Sequence, residues 1–82
     1  MAIIVVPAQI ATVVSAGTAA DLIICNGGSS PLALNTLDPS TAGAAIYLGT
    51  KDSVVMAAGS AFAAAQWVAW SNTGTVAVVI EP

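Results

Sequence analysis

The chain is a succession of short apolar runs, each closed within a few residues by glycine, proline, asparagine or serine. Valine (10), isoleucine (7) and threonine (7) are common in these runs, and β-branched residues between turn residues are typical of strands. The spacing predicts eight strands, at residues 3–6, 9–14, 22–25, 32–37, 45–48, 53–57, 67–70 and 75–80. The expected fold class is all-β: a small antiparallel β-sandwich or jelly-roll-like domain of about eight short strands.

Two segments carry more detailed expectations. Residues 67–70 and 75–80 resemble the arms of a hairpin, because residues 71–74 fit a short loop that ends on a glycine in the left-handed region. Residues 22–25 are wholly apolar, which predicts a strand covered on both faces.

Two other segments are less regular. Residues 61–66 admit either a short helix capped by Ser60, since alanine favours helices, or a strand with small inward residues. Asp38 and Pro39 suit the first two positions of a type I turn, which predicts a loop there.

Composition indicates one small domain that depends on a partner. The 82 residues are 57% hydrophobic and 6% charged, whereas a typical soluble chain has roughly 25% charged residues. We therefore expect a single β domain over residues 1–82, with an apolar surface covered by other copies of itself or by another protein. The side chains that can carry charge are Asp21, Asp38, Lys51, Asp52 and Glu81.

The same composition excludes several classes of function. Lys51 is the single basic side chain, so the chain cannot neutralise the phosphates of a nucleic acid. Cys25 is the single cysteine, which leaves no internal disulfide and no cysteine-rich zinc site. There is no histidine to act as a general base, and the four carboxylates lack metal-ligand spacing. We predict no enzyme activity, no cofactor and no metal site.

Two short stretches are candidates for an interface. On a regular strand the two tryptophans, three residues apart, point to opposite faces, so that one fills the core and the other is exposed unless a partner covers it. A local bulge that places both inside is the alternative. The uncharged N-terminal run invites pairing with a strand of another chain, and residues 1–8 are a candidate interface arm. The candidate interface residues are Ile3, Ile4, Val5, Val6, Trp67 and Trp70.

Three stretches carry a resemblance to a known class of protein: residues 26–28 (NGG), 45–50 (AIYLGT) and 74–81 (GTVAVVIE). Over about residues 10–82 the chain resembles small all-β virion modules of tailed bacteriophages, which serve as capsid decoration or cement proteins, head fibres or tail adhesins. The resemblance implies location in the virion, a homo-oligomer such as a trimer, and a major capsid protein or other virion protein as the partner. It transfers no catalytic residue.

These observations lead to one principal expectation and two alternatives. The principal one is a structural subunit that stabilises a viral shell through apolar interfaces. The first alternative is a receptor- or glycan-binding fibre module in which Trp67 or Trp70 stacks on a sugar, with Asn72 and Asp52 supplying hydrogen bonds. The second is a small membrane subunit, since residues 1–20 and 53–80 are uncharged; glycines and polar residues interrupt both stretches and disfavour a membrane partner.

Overall fold

The eight predicted strands are all present in the structure, a computed structural model that describes residues 1–80. Glu81 and Pro82 lie outside the described residues. In chain order the elements are β1 (Ala2–Val6), β2 (Thr12–Ser15), β3 (Leu22–Asn26), β4 (Leu32–Asn35), α1 (Pro39–Ala42), β5 (Ile46–Leu48), β6 (Ser53–Met56), α2 (Ala61–Ala64), β7 (Trp67–Trp70) and β8 (Thr75–Ile80).

The strands form two antiparallel sheets that enclose the core. The first sheet has the order β1-β8-β3-β6, and the second has the order β2-β7-β4-β5. Within residues 1–80, β4 and β5 are the one pair of consecutive strands that are hydrogen-bonded to each other; every other connection crosses between the sheets. This strand order is that of a jelly roll. The predicted all-β class is therefore confirmed, with jelly-roll topology.

The predicted hairpin between residues 67–70 and 75–80 is wrong. β7 belongs to the second sheet and β8 to the first, so the loop between them joins two sheets instead of two neighbouring strands. Gly74 has the expected positive φ of 91°. The loop is also tied to the β1–β2 connection, because the Gln9 backbone N–H donates a hydrogen bond to the Ser71 carbonyl at 2.8 Å.

Alternation along the strands fills the core from both sheets. Leu22 and Ile24 of β3 and Leu32 and Leu34 of β4 are fully buried. Trp67 adds the largest buried ring, and its indole N–H donates to the Phe62 carbonyl at 2.7 Å. The buried core residues are Val6, Val14, Leu22, Ile24, Leu32, Leu34, Leu48, Met56, Ala63, Trp67, Ala69, Ala77 and Val79.

Two local expectations need correction, and one ambiguity is resolved. Ile23 and Cys25 face outward and are half-buried, so residues 22–25 are covered on one face, not on both. Residues 39–42 form the short helix α1 instead of a plain loop, because the Asp38 side chain caps its first turn. The helical interpretation of residues 61–66 is confirmed over α2, where the Ser60 hydroxyl accepts from the Ala63 N–H at 3.2 Å.

Asn26, at the end of β3, is fully buried, and its carboxamide joins four parts of the chain. Its Nδ2 atom donates to the carbonyls of Ser30 (2.7 Å) and Leu48 (3.0 Å). Its Oδ1 atom accepts from the Gly28 N–H (3.1 Å) and the Thr75 hydroxyl (2.7 Å). Leu48 belongs to the second sheet and Thr75 to the first, so this one side chain links the sheets at one end of the sandwich.

Gly28 is required by the close approach of this turn to β8. A Cβ atom at Gly28 would lie 2.0 Å from the Thr75 hydroxyl oxygen and 2.8 Å from the Val76 backbone nitrogen. Any larger residue would push the turn away from β8 and break the hydrogen bonds to Asn26. The asparagine and the glycine of this turn therefore act together.

Replacement of Asn26 tests how much this network stabilises the fold. In Asn26→Asp the shape is kept, but a carboxylate cannot donate to the two carbonyls and is itself buried without a cation. We expect the free energy of unfolding to fall by about 3 kcal/mol or more, which for a domain of this size lowers the melting temperature by roughly 15 °C. Thermal and urea unfolding followed by circular dichroism measure the change.

The matched control is Asn35→Asp. Asn35 is half-buried at the end of β4, and its amide donates one hydrogen bond to the Gly43 carbonyl at 2.9 Å. This variant should lose about 1 kcal/mol or less. Equal losses in the two variants would contradict the special role of Asn26.

Candidate functional site

The N-terminal interface candidates are divided between the two faces of β1. Ile3 and Val5 are 67% and 66% exposed. Ile4 is half-buried against the core, and Val6 is fully buried in it. The strand thus offers Ile3 and Val5 to a partner, whereas Ile4 and Val6 hold it to the rest of the sandwich.

The two tryptophans lie on opposite faces of β7, as a regular strand requires. Trp67 is buried between the sheets, and Trp70 is half-buried on the outer face of the second sheet. The alternative in which a bulge places both inside is wrong. Only Trp70 is available to a partner.

The outer face of the first sheet is an uninterrupted uncharged surface, which we call the apolar face. The strand register places Ile3 beside Val78 and Val78 beside Cys25, and it places Ile80, Ile23 and Val55 in a neighbouring row. Ser53 is the one polar side chain in it. The apolar face consists of Ile3, Val5, Ile23, Cys25, Ser53, Val55, Val76, Val78 and Ile80.

The charged side chains of residues 1–80 lie in the loops between the strands. Each of the three described aspartates accepts a hydrogen bond from a backbone N–H group. The donors are Ala58 for Asp21 (2.7 Å), Ser40 for Asp38 (2.9 Å) and Gly49 for Asp52 (3.1 Å). Lys51 lies between β5 and β6 in a left-handed conformation, with φ 66°. These carboxylates therefore stabilise three separate loops.

β1 leaves one side of the first sheet open. It pairs with β8 on one side and is the edge strand on the other. Within β1 there is no charged residue and no proline, the features by which natural edge strands prevent pairing with another chain. Pro7 follows the strand directly and limits the length of backbone that an added strand would meet.

The outer face of the second sheet carries an aromatic cleft. Trp70 and Tyr47 are both Cα partners of Ala33, so the two rings stand on either side of a small residue. The cleft has a volume of about 300 Å³. It is lined by Pro31, Ala33, Tyr47, Trp70, Ser71, Asn72 and Thr73.

Sequence reasoning identified part of this cleft. It selected Trp70 and Asn72, which do lie together, whereas Asp52 is not among the lining residues. It missed Tyr47 and Ala33. Alternation along β5 places Tyr47 outward, but the pairing of β4 with β7 depends on crossovers that leave no signal in the local sequence.

The side chains that commonly bind metal ions are dispersed over the described residues. Within residues 1–80 no group of three or more histidine, cysteine, aspartate or glutamate side chains lies close enough to hold one. The two helices in this part of the chain have four residues each, far short of the length that crosses a bilayer.

Comparison of the chain with protein families, with curated proteins and with solved structures found no match in any of the three.

Proposed function

We propose that this chain is a non-enzymatic structural subunit that forms homo-oligomers and packs onto a larger protein surface through its apolar face. The resemblance to phage virion modules suggests the setting: a decoration or cement subunit of a viral shell, with the major capsid protein or another virion protein as partner. The single observation that carries the proposal is the apolar face, in which all nine outward-facing side chains are uncharged and eight are apolar.

The size of the apolar face decides what kind of contact it supports. A strand spacing of about 4.8 Å and a rise of about 3.4 Å per residue give it roughly 300 Å² in projection. Two such faces packed together contribute on the order of 15 kcal/mol at about 25 cal/mol/Å², near the upper end of the cost of association, about 4–15 kcal/mol. One face-to-face contact is therefore weak, and a stable complex needs further contacts.

Two neighbouring features supply further contacts. The open edge of β1 can pair with an added strand through its main chain. At the opposite edge of the first sheet, an apolar groove of about 340 Å³ lies beside β6 and is lined in part by Val54, Val55, Met56 and Phe62. Val55 belongs to both the groove and the apolar face, so the two surfaces are continuous.

The distribution of charge also favours association through this face. The chain has a net charge of −3, which makes copies repel one another when their charges approach. The charged side chains of residues 1–80 lie in loops, so copies that meet through their first sheets keep these charges at the rim, where salt screens them.

The jelly-roll fold is compatible with a structural role in a virion, but it is equally compatible with other functions. Jelly rolls build viral capsid domains, lectin domains and cupins, and the function of each depends on the site that it carries. The proposal therefore rests on the surface of this chain and not on the topology.

Charge placed on the apolar face should prevent association. Ile3 and Val55 are 67% and 65% exposed, so in Ile3→Lys or Val55→Lys the ammonium group reaches water in the monomer and folding changes little. In an oligomer the same charge is buried without a partner, at a cost of several kcal/mol. Sedimentation velocity should show the unchanged chain growing in mass with concentration and both variants remaining monomeric.

The control is Val13→Lys, since Val13 is 48% exposed on the outer face of the second sheet. It should associate like the unchanged chain, while circular dichroism checks that all variants are folded. A chain that stays monomeric at every concentration, or a control that dissociates equally, contradicts the proposed use of the first sheet.

Location in a virion has its own test. Virus particles whose genome encodes this chain are purified and sedimented through a density gradient. The unchanged chain should sediment with the particles, and the Val55→Lys variant should remain at the top of the gradient. Deletion of residues 1–6 is a poor substitute, because it also removes the buried Val6 and leaves β8 without its neighbour. Absence of the unchanged chain from purified particles contradicts the virion role.

A further inference from the structure

We propose that the cleft between Trp70 and Tyr47 binds a neutral carbohydrate. It lies on the outer face of the second sheet, whereas the apolar face belongs to the first sheet. The inference therefore does not depend on the structural role proposed above, and the two surfaces can be tested separately.

The gap between the aromatic rings of Trp70 and Tyr47 has the width of one sugar ring. Trp70 and Tyr47 are two strands apart, with Ala33 between them, which places their Cα atoms about 10 Å apart on a sheet whose side chains stand roughly perpendicular to it. Contact with an aromatic face needs about 3.5–4 Å on each side of a ligand. Ala33 is 4% exposed and forms the small floor beneath the two rings, and the cleft volume of about 300 Å³ is at the small end of ligand sites.

The polar groups around the cleft have unused hydrogen-bonding capacity. The indole N–H of Trp67 is bound to the Phe62 carbonyl, but the indole N–H of Trp70 has no partner within residues 1–80. No buried side-chain nitrogen or oxygen in the described chain lacks a partner, so the Trp70 donor must reach solvent. The Tyr47 hydroxyl group, which is on a residue 73% exposed, is likewise without a partner in the described chain.

Asn72 is held in place while its donors stay available. Its Oδ1 atom accepts a hydrogen bond from the side-chain amide of Gln9 at 3.1 Å. Thr73, next in the loop, donates to the Ser30 hydroxyl at 2.5 Å. These contacts fix the loop beside Trp70 and leave both N–H groups of the Asn72 amide without partners in the described chain.

The chemistry of this arrangement selects the class of ligand. No carboxylate or ammonium group of residues 1–80 lines the cleft, which favours an uncharged ligand. A sugar ring offers C–H faces to the two aromatic rings and hydroxyl groups to the indole, phenol and amide. A proline-rich peptide would also use the rings, and its free carbonyls could accept from these donors, but an extended ligand needs a longer groove than this single cleft of about 300 Å³.

Titration of the ¹⁵N-labelled protein tests the inference directly. The probes are neutral trisaccharides of glucose, galactose, mannose and N-acetylglucosamine at millimolar concentration, and the readout is the pair of indole N–H signals. At least one sugar should shift the Trp70 signal to saturation and leave the buried Trp67 signal in place. Tyr47→Ala, followed by the Trp70 indole signal, and Trp70→Ala, followed by the backbone amide signals of Asn72 and Thr73 because the indole is lost, should each weaken binding about tenfold or more, as the loss of one stacking surface requires.

Two further variants separate the cleft from the stability of the sheet. Ala33→Val fills the floor with a residue that strands favour, and it should abolish binding in a folded protein. Val68→Ala changes the outer face of the same strand outside the cleft, and it should bind normally.

The inference is overturned if no sugar shifts the Trp70 signal, or if Val68→Ala weakens binding as much as Trp70→Ala. A proline-rich peptide that shifts this signal where sugars fail would assign the cleft to peptides instead. None of these outcomes alters the sedimentation test, because Ile3 and Val55 lie on the other sheet.

Discussion

The jelly roll depends at one end on the buried carboxamide of Asn26. Eight short strands that cross repeatedly between two sheets have few local contacts, and hydrophobic burial alone does not fix which loop lies over which strand. The hydrogen bonds of Asn26 are directional and therefore fix the positions of these segments. Its amide donates to Ser30 and Leu48 and accepts from Gly28 and Thr75, so all four of its hydrogen-bonding positions are used. Because Asn26 is fully buried, any displacement of these segments leaves polar groups unpaired, which makes the arrangement specific as well as stable.

The rest of the sandwich shows how a very apolar sequence can still specify one fold. Large aliphatic side chains fill the centre, small alanines at positions 69 and 77 let the sheets approach, and Trp67 has its one polar atom bound. The three aspartates of residues 1–80 each accept a backbone hydrogen bond within a loop. Because the charges of this part of the chain lie in loops, both sheet faces remain available for contacts with other molecules.

Much of the fold was predictable from the sequence, because strand formation here depends on local pattern. All eight strands follow from residue type and alternation. The helix capped by Ser60 and the opposite directions of Trp67 and Trp70 were each one of two alternatives that the sequence left open. The hairpin was not predictable, since a short loop ending on glycine serves equally well to cross between sheets. Ile4 and Val6 face the core because they alternate with Ile3 and Val5 along β1. The sequence does not show which of these two sets faces inward, because that depends on how β1 packs in the tertiary structure. The partnership of Tyr47 with Trp70 depends on β4 lying between their strands, and no short-range signal encodes it.

The central position of β8 in the first sheet has a consequence for biosynthesis. β8 is translated after the seven other strands of residues 1–80, yet it must lie between β1 and β3. Until β8 has been synthesised, β1 has no strand of the first sheet to pair with, and β3 can pair only with β6. We therefore expect the nascent chain to complete its fold only after β8 has emerged, and to be exposed to misassembly with other nascent chains in that interval.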